Sequence, residues 1–292
     1  MLGAAGTTTI LTHHTEDTAL TLTLVAFRTL RGGAREAVSW TDDVTTLPLL
    51  EFRSSALPRG GNVSSAVFVP DAFRDDPSMP RPTILFLHGW GGATAVPDVM
   101  GIPMDDGVLE RIVTQPGLYP DFPFFVIAPH CVEAVHGGCW GWTNTELAMT
   151  ALDELAAAYP VDPARTYVTG LSTGGQGVFT IASAFPSRFA AAAPIGSTYD
   201  AGTPVCSMLD VPVWAFHGEF DTLQPPTNST TYLDRLRTSC PMAPSQDPTL
   251  TLVSCRDPLS DHCGWVEAYD GTHGGSAGGF TSIWSWLLAY TR

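Results

Sequence analysis

Two stretches of the 292-residue chain carry a serine in the spacing Gly-x-Ser-x-Gly: Gly170-Leu171-Ser172-Thr173-Gly174 and Gly274-Gly275-Ser276-Ala277-Gly278. A serine hydroxyl is a poor nucleophile until a base removes its proton and an acid orients that base. The spacing alone is weak evidence, because at about 7% usage each of Gly and Ser a chance match arises in roughly one chain of this size in ten. Context separates the two. A nucleophile on a strained turn needs a strand running into it and a helix running out. Ser172 follows the apolar run 166–171 and precedes a helix-compatible run, 175–185, that ends at Pro186. Ser276 lies in a Gly-rich loop, and no His, Asp or Glu follows it in the chain. Ser172 is therefore the expected nucleophile.

In strand–turn–helix sites of this kind the acid and then the base follow the serine in the chain. The apolar run 211–216 leads into His217-Gly218-Glu219-Phe220-Asp221. A carboxylate just beyond a strand's C-terminal end shares the rim on which the nucleophile sits. Asp221 is the expected acid, with Glu219 as its rival. Three histidines could be the base. His217 reads as structural within a strand end, and His262 lies in a turn between Cys255 and Cys263. His273 stands in a Gly-rich loop ahead of a closing helix and is the expected base. The tetrahedral intermediate of acyl transfer needs backbone N–H donors. Thr173 supplies one. The other is expected from His88-Gly89-Trp90-Gly91-Gly92, at Trp90 with Gly91 as a second possibility. Trp90 and Trp142 could also line an acyl or aromatic pocket, with core packing as the competing reading.

These residues need a scaffold. Short continuous apolar runs at 83–87, 122–128, 166–171, 190–195 and 211–216 fit strands buried on both faces of a mostly parallel, helix-flanked sheet. Segments 249–254 and 265–269 read as the last two strands. Residues 279–290 read as the closing helix, with Ile283, Trp286 and Leu287 facing inward. Thr143 and Glu146 form a capping box before a stripe of Leu147, Ala151, Leu155 and Ala156 that Pro160 ends. Ahead of the sheet, residues 18–27 alternate Thr with apolar residues, and 44–52 and 65–69 also read as strands. The expected division is a β-rich extension over 1–60 and an α/β catalytic unit over 61–292.

Three motifs occur in order: Leu85-Phe86-Leu87-His88-Gly89-x-Gly91, Tyr167-Val168-Thr169-Gly170-Leu171-Ser172-x-Gly174-Gly175 and Phe216-His217-Gly218-x-x-Asp221. Over roughly residues 64–292 the chain resembles bacterial carboxylesterase/feruloyl esterase and polyhydroxybutyrate-depolymerase-like α/β-hydrolases, a group that also holds dienelactone-hydrolase-like and peptidase members. The resemblance implies an α/β-hydrolase fold and serine-dependent hydrolysis of carboxylic esters, including plant-wall aromatic esters or polyesters, with no metal or organic cofactor. A serine peptidase of the same fold is the alternative, and a non-catalytic hydrolase-like binding protein is the alternative outside enzymes. The chain departs from its relatives in having Thr173 where Met is frequent, and in lacking an aromatic residue just after His273.

All 14 basic residues are arginine, and against 29 acidic ones they leave a net charge of −15. That field repels phosphate backbones and anionic lipid, so nucleic acid is not an expected partner. No apolar run reaches the length of a membrane span. The first residues are too short and polar for a secretory leader. Two sequons, at Asn62 and Asn228, read as chance matches. Six cysteines allow 15 pairings. Cys131/Cys139 and Cys255/Cys263 each bracket a turn-like segment and are expected to be disulfides, with Cys206/Cys240 the third. Disulfides imply an oxidising compartment, and the chain is expected to be secreted or periplasmic with its leader absent.

Overall fold

The computed structural model describes residues 6–7, 24–29, 35–40, 49–58, 60–90, 107–131, 139–141, 144–255 and 261–292. Eleven strands are described: β1 (Gly6–Thr7), β2 (Leu24–Thr29), β3 (Arg35–Trp40), β4 (Leu49–Ala56), β5 (Asn62–Val69), β6 (Arg81–Leu87), β7 (Phe125–His130), β8 (Val161–Leu171), β9 (Ala191–Ile195), β10 (Trp214–Gly218) and β11 (Thr249–Val253). The helices are α1 (Asp71–Asp75), α2 (Val108–Thr114), α3 (Thr145–Ala158), α4 (Thr173–Ala184), α5 (Thr227–Asp234), α6 (Trp265–Asp270) and α7 (Ile283–Leu288).

β1, β2 and β3 form a small sheet of their own. The other eight strands form one sheet in the order β11-β10-β9-β8-β6-β7-β5-β4. From β7 to β11 every neighbouring pair is parallel, while β4 and β5 join the edge antiparallel. β4 lies on the N-terminal side of the expected boundary at residue 60, yet it is the outer strand of this main sheet. Of the segment 18–27 only the end, within β2, lies among the described residues.

The continuous apolar runs occur because both sheet faces are covered. Along β6, Leu85 and Leu87 enter the core layer of α3, α4 and α5, while Ile84 and Phe86 enter the layer of α2, α6 and α7. Alternate side chains of a strand point to opposite faces, so a strand covered on both sides reads as unbroken apolar sequence. In α3, Leu147, Ala151 and Leu155 are buried with Ala148 and Leu152, whereas Ala156 faces solvent. Thr143 lies outside the described residues, and the N-cap position of α3 is Asn144.

One expected strand is a helix. Residues 265–269 lie in α6, flanked by Gly264 at φ 112° and Gly271 at φ 71°. Both glycines take the left-handed backbone that stops a helix without a Cβ penalty. The buried residues of α6 are Glu267, Ala268 and Tyr269. Arg111 on α2 pairs through both Nε and Nη2 with Asp270 at the end of α6, and the Tyr119 hydroxyl donates to the same carboxylate. The closing helix α7 buries Ile283, Trp286 and Leu287, as its periodicity requires.

Candidate active site

β8 runs directly into Ser172 and α4 runs directly out of it. Ser172 holds φ 55°, ψ −117°, a positive-φ conformation rare for a residue with a side chain. Such strain costs about 1–3 kcal/mol and persists only where surrounding contacts over-determine it. Here the Ser172 N–H donates to Ile195 O at 2.9 Å, and its carbonyl accepts from Gln176 and Thr198. The glycines of the motif allow the close approach of strand and helix. A Cβ on Gly174 would overlap Leu87 O and lie 2.6 Å from His88 O.

Asp221 follows β10 and is buried. Its Oδ1 accepts from the backbone amides of Leu223 (3.0 Å) and Gln224 (2.7 Å). Its Oδ2 accepts from Nδ1 of His262 at 2.6 Å, and Nε2 of His262 lies 2.9 Å from Ser172 Oγ. A carboxylate oxygen only accepts, so Nδ1 carries the hydrogen and the neutral ring presents Nε2 as an acceptor for the serine proton. Ser172, His262 and Asp221 therefore have the connectivity of a nucleophile, its base and the base's orienting acid. Glu219, the rival acid, is exposed and approaches Ser254.

The expected base is corrected by this geometry. His273 lies in the core layer of α6 and α7, edge-on to Trp214 at 5.3 Å and to Phe216 at 4.9 Å. Its Nδ1 accepts the Gly275 amide at 3.1 Å. Burial lowers its pKa against an opposing pull from the Thr281 backbone, so it is held as a neutral core histidine. The cause is α6. With a helix where a strand was expected, the chain meets Ser172 before α6, and His273 returns beneath the sheet after it. His262 is carried instead by a loop closed by the Cys255–Cys263 disulfide (Cα–Cα 5.9 Å), with the Trp265 ring edge-on to its imidazole at 5.0 Å. The Asp261 carboxylate next to it accepts from Thr222 Oγ1 on the acid loop. The remaining disulfides join Cys131 to Cys139 and Cys206 to Cys240, and among the described residues no cysteine is free.

Thr173 is the first residue of α4, where a backbone N–H has no carbonyl of its own helix to bind. Gly89 brings the β6 loop against the nucleophile: a Cβ there would lie 3.4 Å from Ser172 Cβ. The next residue, Trp90, is 52% exposed, so its indole lies at the surface rather than in the core. Gly91 and Trp142 fall outside the described residues. Two residues that sequence reasoning passed over hold this loop. His88 Nδ1 donates to Gly89 O (2.7 Å), and its Nε2 accepts the Cys131 N–H (2.9 Å). Trp140 Nε1 donates to His88 O at 2.8 Å. The Cys131–Cys139 disulfide is thus tied to the expected oxyanion loop. Burial holds His88 neutral, with its pKa pushed down to about 4. Among the described residues no group of His, Cys, Asp and Glu is arranged to hold a metal ion.

No family model matches the chain. It is 28% identical over 167 residues to the protein named "Putative esterase NocK" of Nocardia uniformis subsp. tsuyamanensis, covering 51% of this chain and 43% of that one. It is 42% identical over 57 residues to poly(3-hydroxyalkanoate) depolymerase C of Paucimonas lemoignei, covering 19% and 14%. The chain thus spans less than half the length of these curated relatives. Among solved structures it is similar to a thermostable esterase, with TM-score 0.66 at 22% identity over 98% of this chain and 76% of that one. It is also similar to a puromycin-hydrolyzing peptidase of Mycobacterium tuberculosis, with TM-score 0.54 at 19% identity over 87% and 44%. The fold is that of the α/β-hydrolases.

Proposed function

We propose that this chain is a serine-dependent carboxylic ester hydrolase working through an acyl-enzyme. The observation that carries the reading is the continuous relay Ser172 Oγ–His262 Nε2 and His262 Nδ1–Asp221 Oδ2, at 2.9 and 2.6 Å. Ser172 Oγ attacks the ester carbonyl carbon as its proton passes to His262 Nε2. Asp221 stabilises the resulting imidazolium. The amides of Thr173 and Trp90 donate to the oxyanion. Collapse breaks the bond to the alkoxy oxygen, which leaves as the alcohol with the proton from His262. Water then attacks the acyl-serine by the same route and restores Ser172. None of these steps draws on a metal or organic cofactor.

The relatives, one named a putative esterase and one a polyhydroxyalkanoate depolymerase, support small-molecule or polymeric esters as substrates; aromatic plant-wall esters rest on the motif resemblance. The peptidase reading rests on the shared fold with the puromycin-hydrolyzing enzyme. The acidic balance supports a protein that does not bind nucleic acid. No helix among the described residues is long and apolar enough to cross a membrane. Three disulfides support a secreted or periplasmic location. The N-terminal three-stranded sheet supports a β-rich extension ahead of the catalytic unit.

Fluorophosphonate labelling tests the site. Wild type should label and Ser172→Ala should not; absence of labelling in both would favour a hydrolase-like binding protein. Side-by-side rates on short acyl esters, feruloyl esters, polyester film and aminoacyl amides test the class. Amide turnover exceeding every ester would overturn the esterase reading in favour of the peptidase.

A further inference from the structure

The acid of the relay has a buried neighbour that takes no proton in the acyl transfer. His217 is the fourth residue of β10 and is fully buried. Side chains alternate along the strand, so Trp214 and Phe216 pack on one side while His217 projects to the other, towards α5. Its Nε2 lies 2.6 Å from the carbonyl of Gln224. A carbonyl only accepts, so Nε2 carries the hydrogen. Nδ1, 2.7 Å from Ser229 Oγ in the first turn of α5, then accepts the hydroxyl proton. Ser229 is itself fully buried. The two contacts fix one tautomer and leave the ring no second orientation.

The same Nε2, its hydrogen directed at the Gln224 carbonyl, stands 3.5 Å from Asp221 Oδ2, the oxygen that receives the His262 proton donor. Oδ1 is already held by the Leu223 and Gln224 amides. The carboxylate is therefore caged: one oxygen by the loop backbone, the other between two imidazoles. The groups facing His217 are Asp221, Gln224 and Ser229, with His262 beyond Asp221. Burial favours the uncharged ring. The charge state matters, because a cation at this position would compete with the His262 imidazolium for the same carboxylate, whereas a neutral N–H orients it without cancelling its charge.

We propose that His217 is a positioning residue: through Nε2–H on the Gln224 carbonyl it holds the acid loop, and through that loop's amides the Asp221 carboxylate, in the orientation that serves His262. The proposal rests on the esterase reading and on Asp221 as the acid. His217→Phe removes both ring contacts, and His217→Gln returns an N–H donor near the Nε2 position. Esterase kinetics across pH, thermal melting and an Asp221→Asn control should be run together. The expected result for His217→Phe is a kcat lower by about 100-fold at nearly unchanged KM. The acid limb of its kcat/KM profile should move to lower pH, because an imidazole without its carboxylate is a weaker base. His217→Gln should recover most of kcat and return the limb towards wild type. Should His217→Phe fail to fold, Ser229→Ala, which frees Nδ1 and the tautomer, should give the same limb shift with a smaller loss of kcat.

Wild-type kcat and acid limb in a folded His217→Phe, alongside a crippled Asp221→Asn, would overturn this proposal and leave the site reading standing. So would a lower melting temperature with the limb unmoved and no recovery by Gln, the signature of a role in folding alone. A fully active Asp221→Asn would instead overturn the relay itself.

Discussion

Two histidines eleven residues apart, His262 and His273, follow the last strand of the sheet, and both satisfy the chain order that a serine site demands. Their surroundings differ in kind. His262 has a polar partner on each ring nitrogen, Asp221 on one side and Ser172 on the other, and its ring edge reaches solvent. His273 is walled by Trp214 and Phe216, and its Nδ1 serves a turn amide. One loop is closed by a disulfide and tied to the acid loop; the other is closed by packing beneath the sheet. A histidine's role is thus set by what its two nitrogens meet, which motif position does not report.

The sharpest break in this comparison is chemical. His262→Ala should lower kcat by about 10⁴-fold or more, as Ser172→Ala should, because members of such a relay act as a unit. His273→Phe should keep kcat within a few-fold and lower the melting temperature. A single-turnover assay with a chromogenic ester decides between them, and a dead but folded His273→Phe beside an active His262→Ala would reverse the assignment.

Asp221→Asn should cost about 10³–10⁴-fold in kcat, since the amide cannot hold the required tautomer. Glu219→Gln should leave kcat close to wild type. If Glu219→Gln is the damaging change, the acid belongs to the other side chain.

The disulfides should then rank by what they hold. Replacing Cys255 and Cys263 with Ser should lower kcat by about 10- to 100-fold before any global unfolding, because displacements near 1 Å at the base have costs of this size. Its short loop adds only about 2–3 kcal/mol to global stability in the chain-entropy model. Replacing Cys206, which is exposed, and Cys240, which packs against the core, should shift melting temperature and leave kcat alone. Equal kcat losses from both pairs would show that stability, not base positioning, is being read.

The last effect is on stability rather than rate, through pH. His88, His217 and His273 are all held neutral by burial, His88 with its pKa near about 4. In the unfolded chain each takes up a proton below about pH 6.5. The unfolded state then binds more protons than the native one, so stability is full above that pH and declines as pH falls. For His88 the loss approaches about 3 kcal/mol by pH 4. Melting curves from pH 7.5 to pH 4 should fall accordingly, less steeply in His273→Phe than in wild type. Identical slopes would mean that His273 binds its proton as readily in the fold as in the unfolded chain.

Legibility followed locality. The strand, the serine and the helix after it are consecutive, and the strain at Ser172 required the glycines that the motif displays. Asp221 was legible because it closes a strand of the same parallel sheet. The short-spaced cysteine pairs were legible because a separation of eight residues lets two Cα atoms meet within a bridge's reach. α6 was not: its six apolar and polar residues suit either element, and only Gly264 and Gly271 in left-handed conformations marked it as a helix. Once α6 was misread, the base followed it into error. The His262–Cys263 neighbours, with Cys255 eight residues before, held a usable signal, since a loop closed by a disulfide is a stiffer mount for a base than a run of glycines.

By itself the sequence determined the layered sheet and singled out Ser172 and Asp221, because strand burial on both faces and the tight turn at Ser172 each impose residue types on adjacent positions. The pairing of His262 with Ser172 and Asp221, the His88–Trp140 clamp on the loop after β6 and the contacts of His217 beside Asp221 were decided by the tertiary structure alone. Ser172 and His262 are 90 residues apart. A hydrogen bond across that span constrains one nitrogen and one oxygen in space and leaves no periodic trace in the chain between them.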